Sequence, residues 1–139
     1  MAKRLIHLIR HGQYTSKPDD GELGGVLTDL GKQQAQMIGA VLAGLEISEI
    51  HCSSMLRANE TAKIISQSIP NVEPNSTNML WELVPTIPPH LEDYFESLAL
   101  QNPHFSIDQV AEKRGVADEA FEMFFRPSGD DSDSIAIVC

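Results

Sequence analysis

Residues 4–13 read Arg-Leu-Ile-His-Leu-Ile-Arg-His-Gly-Gln, an apolar run that ends abruptly in a cation, an imidazole and a glycine. Apolar residues dominate this run and predict a strand buried on both faces, as the central strands of parallel sheets are. Gly12 lets the backbone turn sharply and approach a ligand closely. Arg10 and His11 are therefore predicted at the carboxyl end of a strand, where open α/β sheets bind their ligands.

The side chains at this predicted strand end suggest phosphate chemistry. Arg10 carries a permanent charge and can bind an anion through two parallel hydrogen bonds. His11 offers a ring nitrogen that can act as a nucleophile. For most Arg-His-Gly tripeptides, however, a surface cation beside a hydrogen-bonded turn residue is the better interpretation. The assignment therefore depends on further motifs.

Three more segments follow in the order known from one protein family. They are Leu27-Thr-Asp-Leu-Gly31-Lys-Gln-Gln34-Ala35, Cys52-Ser-Ser-Met-Leu-Arg57-Ala-Asn-Glu-Thr61-Ala62 and Leu80-Trp-Glu82-Leu83. Together with the first stretch, they resemble the motifs of the histidine phosphatase superfamily, also called phosphoglycerate mutase-like. The resemblance covers residues 4–83. It implies an α/β fold of three layers, α/β/α, with a mostly parallel central sheet.

The remaining pattern predicts the elements of one domain over residues 1–139. Thr28 is a suitable N-cap for a first helix, whose predicted inward face is Leu30, Ala35, Ile38, Val41, Leu42 and Leu45. Further predicted elements are a strand over 46–52, a helix from Ser53 or Ser54 to about 68, a strand over 79–83 that delivers Glu82, a helix over 118–125 that packs Phe121, Phe124 and Phe125 on the sheet, and a strand over 135–139. Residues 85–133 are interpreted as an insertion of helices and loops.

The resemblance implies a role for each matching residue of the site. His11 would attack phosphorus and form a transient phosphohistidine, while Arg10 and Arg57 hold the phosphoryl oxygens. Glu82 would protonate the leaving alkoxide and then activate water, and Gln13 would help to bind the substrate. The scheme requires no metal and no cofactor. The alternatives are an exposed helix cation for Arg57 and a solvated carboxylate for Glu82.

The branch of the superfamily is indicated by residues 10–14, Arg-His-Gly-Gln-Tyr, which resemble its protein Ser/Thr phosphatases. The mutases carry an Asn further along this motif that is absent here, so mutase activity is the less favoured enzyme hypothesis. In the superfamily a strand such as 135–139 is followed by a second active-site histidine and the C-terminal part of the domain, whereas this sequence ends at Cys139. The alternative hypothesis, that the chain is a non-catalytic phosphate-binding protein, therefore stays open.

Composition and net charge exclude some classes of binding partner. The formal net charge of −10 argues against nucleic acid or an anionic membrane surface, and no apolar run is long enough to span a membrane. The expected partner is a phosphorylated protein or a small phosphomonoester. With the C-terminal elements lacking, an open sheet edge should make homo-oligomerisation possible. The two cysteines and the lack of a signal peptide predict a cytoplasmic protein, and the resemblance also makes a mitochondrial location possible.

Overall fold

The computed structural model describes residues 2–17, 19–21, 23–81, 87–101, 108–127, 129 and 131–139. For residues 108–114 it describes the backbone alone. The strands in these ranges are β1 (Arg4–Ile9), β2 (Glu49–Ser53), β3 (Pro74–Thr77) and β4 (Asp133–Val138). The α-helices are α1 (Asp29–Leu42), α2 (Leu56–Ser66), α3 (Glu92–Gln101) and α4 (Asp108–Phe124). Two short 3-10 helices span Asn78–Leu80 and Pro89–Leu91.

The four strands form one parallel sheet in the order β1-β4-β2-β3, which confirms the predicted α/β class. Successive residues of β4 face two different apolar clusters. Ala136 and Val138 pack with α1, α2 and β2, whereas Ile135 and Ile137 pack with Phe124 of α4. Helices therefore cover both faces of the sheet, as the predicted three-layer arrangement requires.

Two strand predictions are wrong. The first strand is not buried on both faces: β4 separates β1 from β2, so β1 is an edge strand, and Leu5 and Leu8 are 59% and 65% exposed. The third strand of the described sheet is Pro74–Thr77, whereas the predicted strand 79–83 begins in a 3-10 helix, Asn78–Leu80, in which the Met79 N–H donates to the Thr77 hydroxyl. Residues 82 and 83 of the predicted strand lie outside the described residues. Oligomerisation through this apolar edge stays a prediction.

The first helix begins as predicted, with Thr28 as its N-cap, but of its predicted inward face only Ala35 and Leu42 are buried. Its buried residues are Gly31, Ala35, Gly39 and Leu42, whereas most of its larger apolar side chains are exposed. Small residues on this face let α1 pack closely on α2: a Cβ atom on Gly39 would lie 3.3 Å from the Ile65 Cα atom. Close backbone packing, rather than the largest apolar stripe, decides which face turns inward.

The last helix, Asp108–Phe124, starts earlier than the predicted 118–125, and of the three phenylalanines predicted to pack on the sheet Phe124 alone does so. Phe124 is 1% exposed, while Phe121 and Phe125 are 54% and 41% exposed. The predicted insertion, 85–133, includes α3 and α4 among its described residues. No helix in the described ranges is long and apolar enough to cross a membrane.

An ion pair fixes the register of the two strands that carry the first and last apolar runs. Arg4 and Asp133 are register partners, and the Arg4 Nε–H donates to both carboxylate oxygens of Asp133 at 3.0 and 2.9 Å. The Arg4 side chain is only 3% exposed. Its guanidinium also donates to the carbonyl oxygen of Phe124 at 3.4 Å, so the same group links β1, β4 and the end of α4.

We expect Asp133→Asn to lower the free energy of unfolding by about 1–3 kcal/mol at pH 7, because the substitution removes the charged acceptor of the hydrogen bonds from a largely shielded guanidinium. The Arg4 guanidinium holds the pKa of Asp133 below its usual value. The stabilisation is therefore present above about pH 4 and is lost as pH falls through the lower pKa of the folded state.

Urea unfolding of the parent chain and of Asp133→Asn at pH 7 and about pH 3 tests this, with the exposed Asp131→Asn as the control. A difference between parent and Asp133→Asn that is the same at both pH values would contradict the assignment.

Candidate functional site

The carboxyl ends of three strands open into a cavity of about 600 Å³. Arg10 and His11 follow β1, Arg57 lies in the first turn of α2 just after β2, and Cys139 follows β4. All four residues line the cavity. The structure thus brings together three of the predicted site residues, Arg10, His11 and Arg57, because parallel strands all end at the same edge of a sheet.

Of the other two predicted site residues, Gln13 alone is within the described part of the chain. Glu82 lies outside the described residues, so its role stays a prediction. The preceding residue, Trp81, does line the cavity, and its indole Nε1–H donates to the Ser54 hydroxyl. Gln13 is not among the lining residues: its side-chain oxygen accepts a hydrogen bond from the Thr28 hydroxyl at 2.8 Å. Its predicted substrate contact therefore has no counterpart in the lining.

Hydrogen bonds determine which ring nitrogen of His11 can react. The backbone N–H of His11 donates to the carbonyl oxygen of Cys139 at 2.8 Å, which extends the β1–β4 pairing beyond the strand ends. The Nδ1 atom of His11 lies 2.8 Å from the carbonyl oxygen of Gly12. Because a carbonyl oxygen can only accept, Nδ1 carries the hydrogen. In the neutral ring the lone pair is then on Nε2.

The turn that carries His11 is attached to α2 through Thr61. The Gly12 N–H donates to the Thr61 hydroxyl at 3.0 Å, and that hydroxyl donates to the carbonyl oxygen of Arg57 at 2.7 Å. Thr61 is 1% exposed, so both bonds are shielded from water. No role was predicted for Thr61 from the sequence, although its position four residues after Arg57 places the two side chains one helical turn apart. This buried hydroxyl connects the turn of His11 with the helix of Arg57.

The same turn rests on the first turn of α1. The Gln13 N–H donates to the side-chain oxygen of Gln34 at 2.8 Å, and the Gln13 carbonyl accepts from the Thr28 N–H at 2.9 Å. A Cβ atom on Gly31 would lie 2.0 Å from the Gln13 carbonyl oxygen, and one on Gly12 would lie 2.5 Å from the Gly31 carbonyl oxygen. The segment from Leu27 to Ala35 thus supports the turn of His11.

Tyr14 lies between the imidazole and one arginine, and sequence analysis gave it no role. Its ring packs edge-on against the His11 ring, with centroids 5.1 Å apart and an interplanar angle of 87°. The Arg57 Cζ atom lies 4.8 Å from the centroid of the same tyrosine ring. An isolated β-bridge to Leu27 holds the Tyr14 backbone. Such aromatic and cation–π contacts restrict both side chains, so Tyr14 is a positioning residue.

The lining is locally positive in a chain of net charge −10. Arg10 and Arg57 supply two cations, and no aspartate or glutamate is among the described residues that line the cavity. This is the local positive site that phosphate binding requires. The described residues contain no group of three or more His, Cys, Asp or Glu side chains that could hold a metal ion.

Comparison with known proteins identifies the family. The model of the histidine phosphatase superfamily (branch 1) matches residues 6–84. The chain belongs to this superfamily. It is 42% identical over 104 residues to "Serine/threonine-protein phosphatase PGAM5, mitochondrial" from Homo sapiens, an alignment that covers 72% of this chain and 35% of that protein. The mouse protein of the same name gives the same values, so the chain spans 35% of the length of these relatives.

Solved structures of the superfamily share the fold. A phosphoglycerate mutase from Bacillus anthracis superposes with a TM-score of 0.62 at 17% identity, covering 96% of this chain and 73% of that one. A phosphoglycerate mutase from Plasmodium falciparum superposes with a TM-score of 0.58 at 24% identity, covering 100% of this chain and 62% of that one. The predicted phosphoglycerate mutase-like fold is therefore confirmed.

We expect Gly31→Ala to destabilise the chain, although alanine normally favours a helix over glycine. The added methyl group would overlap the Gln13 carbonyl oxygen and force the turn of His11 away from α1. The expected loss is about 1–3 kcal/mol in the free energy of unfolding, measured by urea denaturation.

Gly115→Ala in α4 is the matched control, because no atom lies within 4 Å of its added Cβ. This variant should gain up to about 1 kcal/mol. If Gly31→Ala is stabilising in the same way, the close contact between the turn and α1 does not exist in solution.

Proposed function

We propose that the chain is a phosphatase that hydrolyses a phosphomonoester through a phosphohistidine at His11. The observation that carries the proposal is that His11, Arg10 and Arg57 line one cavity at the carboxyl ends of the strands, with the lone pair of the neutral His11 ring on Nε2. Membership of the histidine phosphatase superfamily supports it, as do the names of the relatives, although the chain spans only part of their length.

In the first step, His11 Nε2 attacks phosphorus as the bond to the ester oxygen breaks, and the leaving oxygen takes a proton. In the second step, water attacks phosphorus, the P–N bond breaks and inorganic phosphate leaves. Arg10 and Arg57 stabilise the negative charge of the phosphoryl oxygens in both steps. We assign Glu82 as the group that donates the first proton and accepts the second from water.

The same proposal extends to the domain, its substrate and its location. We propose one histidine phosphatase-like domain with residues 85–133 as its insertion, acting on a phosphoprotein or a small phosphomonoester. The relatives named above are mitochondrial by name, which favours that location for this chain and gives no support to the cytoplasmic one.

A non-catalytic phosphate-binding protein is the second candidate. Arg10, Arg57 and the ring of His11 can bind an anion whether or not a proton donor completes the site. A phosphoglycerate mutase has less support, because the described lining offers no cation beyond Arg10 and Arg57 for the second anionic group of such a substrate.

We expect His11→Ala to reduce p-nitrophenyl phosphate hydrolysis by more than about 10³-fold, because the variant lacks the nucleophile. Arg57→Lys should reduce kcat by about 10²-fold, since lysine keeps the charge but loses the two-pronged contact with the phosphoryl group. The exposed His90→Ala is the matched histidine control and should leave the rate unchanged.

Turnover that survives in His11→Ala would overturn the phosphatase proposal. A chain that binds inorganic phosphate in a manner dependent on Arg57, but shows no turnover, would establish the phosphate-binding alternative instead.

A further inference from the structure

The cavity beside His11 has a second, apolar part. Beyond the two arginines, its described lining includes Met79, Leu80 and Trp81 from the 3-10 helix and its end, Phe121 from α4, and Phe125, which directly follows α4. Cavities for small ligands have this composition, with a few polar groups that fix the orientation and apolar walls that supply binding energy.

The phenylalanines of α4 divide between the core and the cavity. Phe124 and Ala120 pack against the sheet, and they already fill the core on that face. Phe121 and Phe125 lie one helical turn apart and line the cavity, their rings stacked at 5.1 Å between centroids and 13° between planes. Both remain about half exposed, at 54% and 41%. An exposed apolar patch of this kind, joined to a polar site, is typical of a ligand-binding surface.

A flat indole lies at the same cavity. The Trp81 Nε1–H is bound to the Ser54 hydroxyl, which in turn donates to the side-chain oxygen of Asn78. The polar atom of the indole is therefore satisfied within the protein, and the ring can contribute apolar surface to the cavity. A charged substrate group placed against these apolar walls would lose its hydrating water without gaining a hydrogen-bond partner or a counter-charge.

We propose that this cavity takes an aryl phosphate, with the phosphoryl group at Arg10, His11 and Arg57 and the aromatic ring of the ester against Phe121, Phe125 and Trp81. The inference rests on the proposed function, because it uses the same phosphoryl position. The ring is that of a phosphotyrosine side chain or of a free aryl phosphate, and both present the same chemistry to the cavity.

Non-hydrolysable phosphonates test the inference without requiring turnover. By calorimetry, the 139-residue chain should bind benzylphosphonate about 10- to 100-fold more tightly than methylphosphonate, from the apolar area that the ring buries. It should also bind benzylphosphonate several-fold, roughly 3-fold or more, more tightly than cyclohexylmethylphosphonate, since stacked rings add to area burial. Equal binding of these three phosphonates, with binding still dependent on Arg57, would overturn the aryl inference and leave the proposed function standing.

Variants of α4 locate the ring. Phe121→Ala should reduce the preference for benzylphosphonate over methylphosphonate by about 10-fold and leave methylphosphonate binding unchanged. Phe121→Leu keeps apolar bulk and should lose only the preference over the cyclohexyl analogue. Met123→Ala, which is on the same helix, is 54% exposed and does not line the cavity, is the control and should change neither ratio. An unchanged ratio in Phe121→Ala would contradict the placement.

Substrate comparisons separate the two sources of the ring. A higher kcat/KM for a phosphotyrosyl peptide than for phenyl phosphate assigns the site to protein tyrosine residues, whereas the reverse order assigns it to small aryl phosphates. A higher kcat/KM for a phosphoseryl peptide than for either would overturn the aryl inference. If no phosphonate binds, or if binding survives Arg57→Met, the phosphoryl position itself is wrong, and the proposed function fails with it.

Discussion

The turn at residues 11–13 rests on two helices, and the position of His11 depends on those contacts. On one side the Gly12 N–H donates to the buried Thr61 hydroxyl of α2. On the other side the backbone of Gln13 lies against Gly31 so closely that neither helix nor turn has room for another carbon atom. Backbone atoms held in this way have few alternative positions, and the imidazole they carry is therefore preorganised.

Further contacts of the same kind hold the turn of His11 and the side chain of Arg57 in place. Thr28 caps α1 and also donates to the Gln13 side chain, and Gln34 accepts from the Gln13 N–H. Arg57 is oriented from the other direction, by the ring of Tyr14 and by a helix that begins at the end of a buried strand. The positive charge of the cavity lining is local: Arg10 and Arg57 line the cavity, whereas the chain as a whole carries a formal net charge of −10. Short-range structure, rather than net charge, brings these two cations together.

The local motifs could be predicted from the sequence because each one has its own physical cause. Arg10 and His11 follow an apolar run that predicts a strand, Arg57 was identified by its place in a motif that resembles the superfamily's, and parallel strands bring their ends together. The sheet order could not be predicted, because it depends on β4, which is distant in sequence yet inserts between β1 and β2.

The prediction of the inward face of α1 was only partly right, because hydrophobic periodicity does not detect the close packing of small residues. The prediction that a strand begins at Met79 was wrong because the apolar pattern from this residue onward is compatible with a strand or a helix. The hydrogen bond from the Met79 N–H to the Thr77 hydroxyl favours the 3-10 helix. The roles of Thr61 and Tyr14 were not predicted because the Thr61–Gly12 and Tyr14–Arg57 contacts join segments that are far apart in the sequence.

We propose that the bond between His11 Nδ1 and the Gly12 carbonyl leaves Nε2 as the reacting nitrogen. To test this, the chain is quenched during turnover of p-nitrophenyl phosphate, and phosphorus NMR with peptide mapping determines which nitrogen of which histidine carries phosphorus. We expect phosphorus on Nε2 of His11. Phosphorus on Nδ1 of His11, or on another histidine, would contradict it.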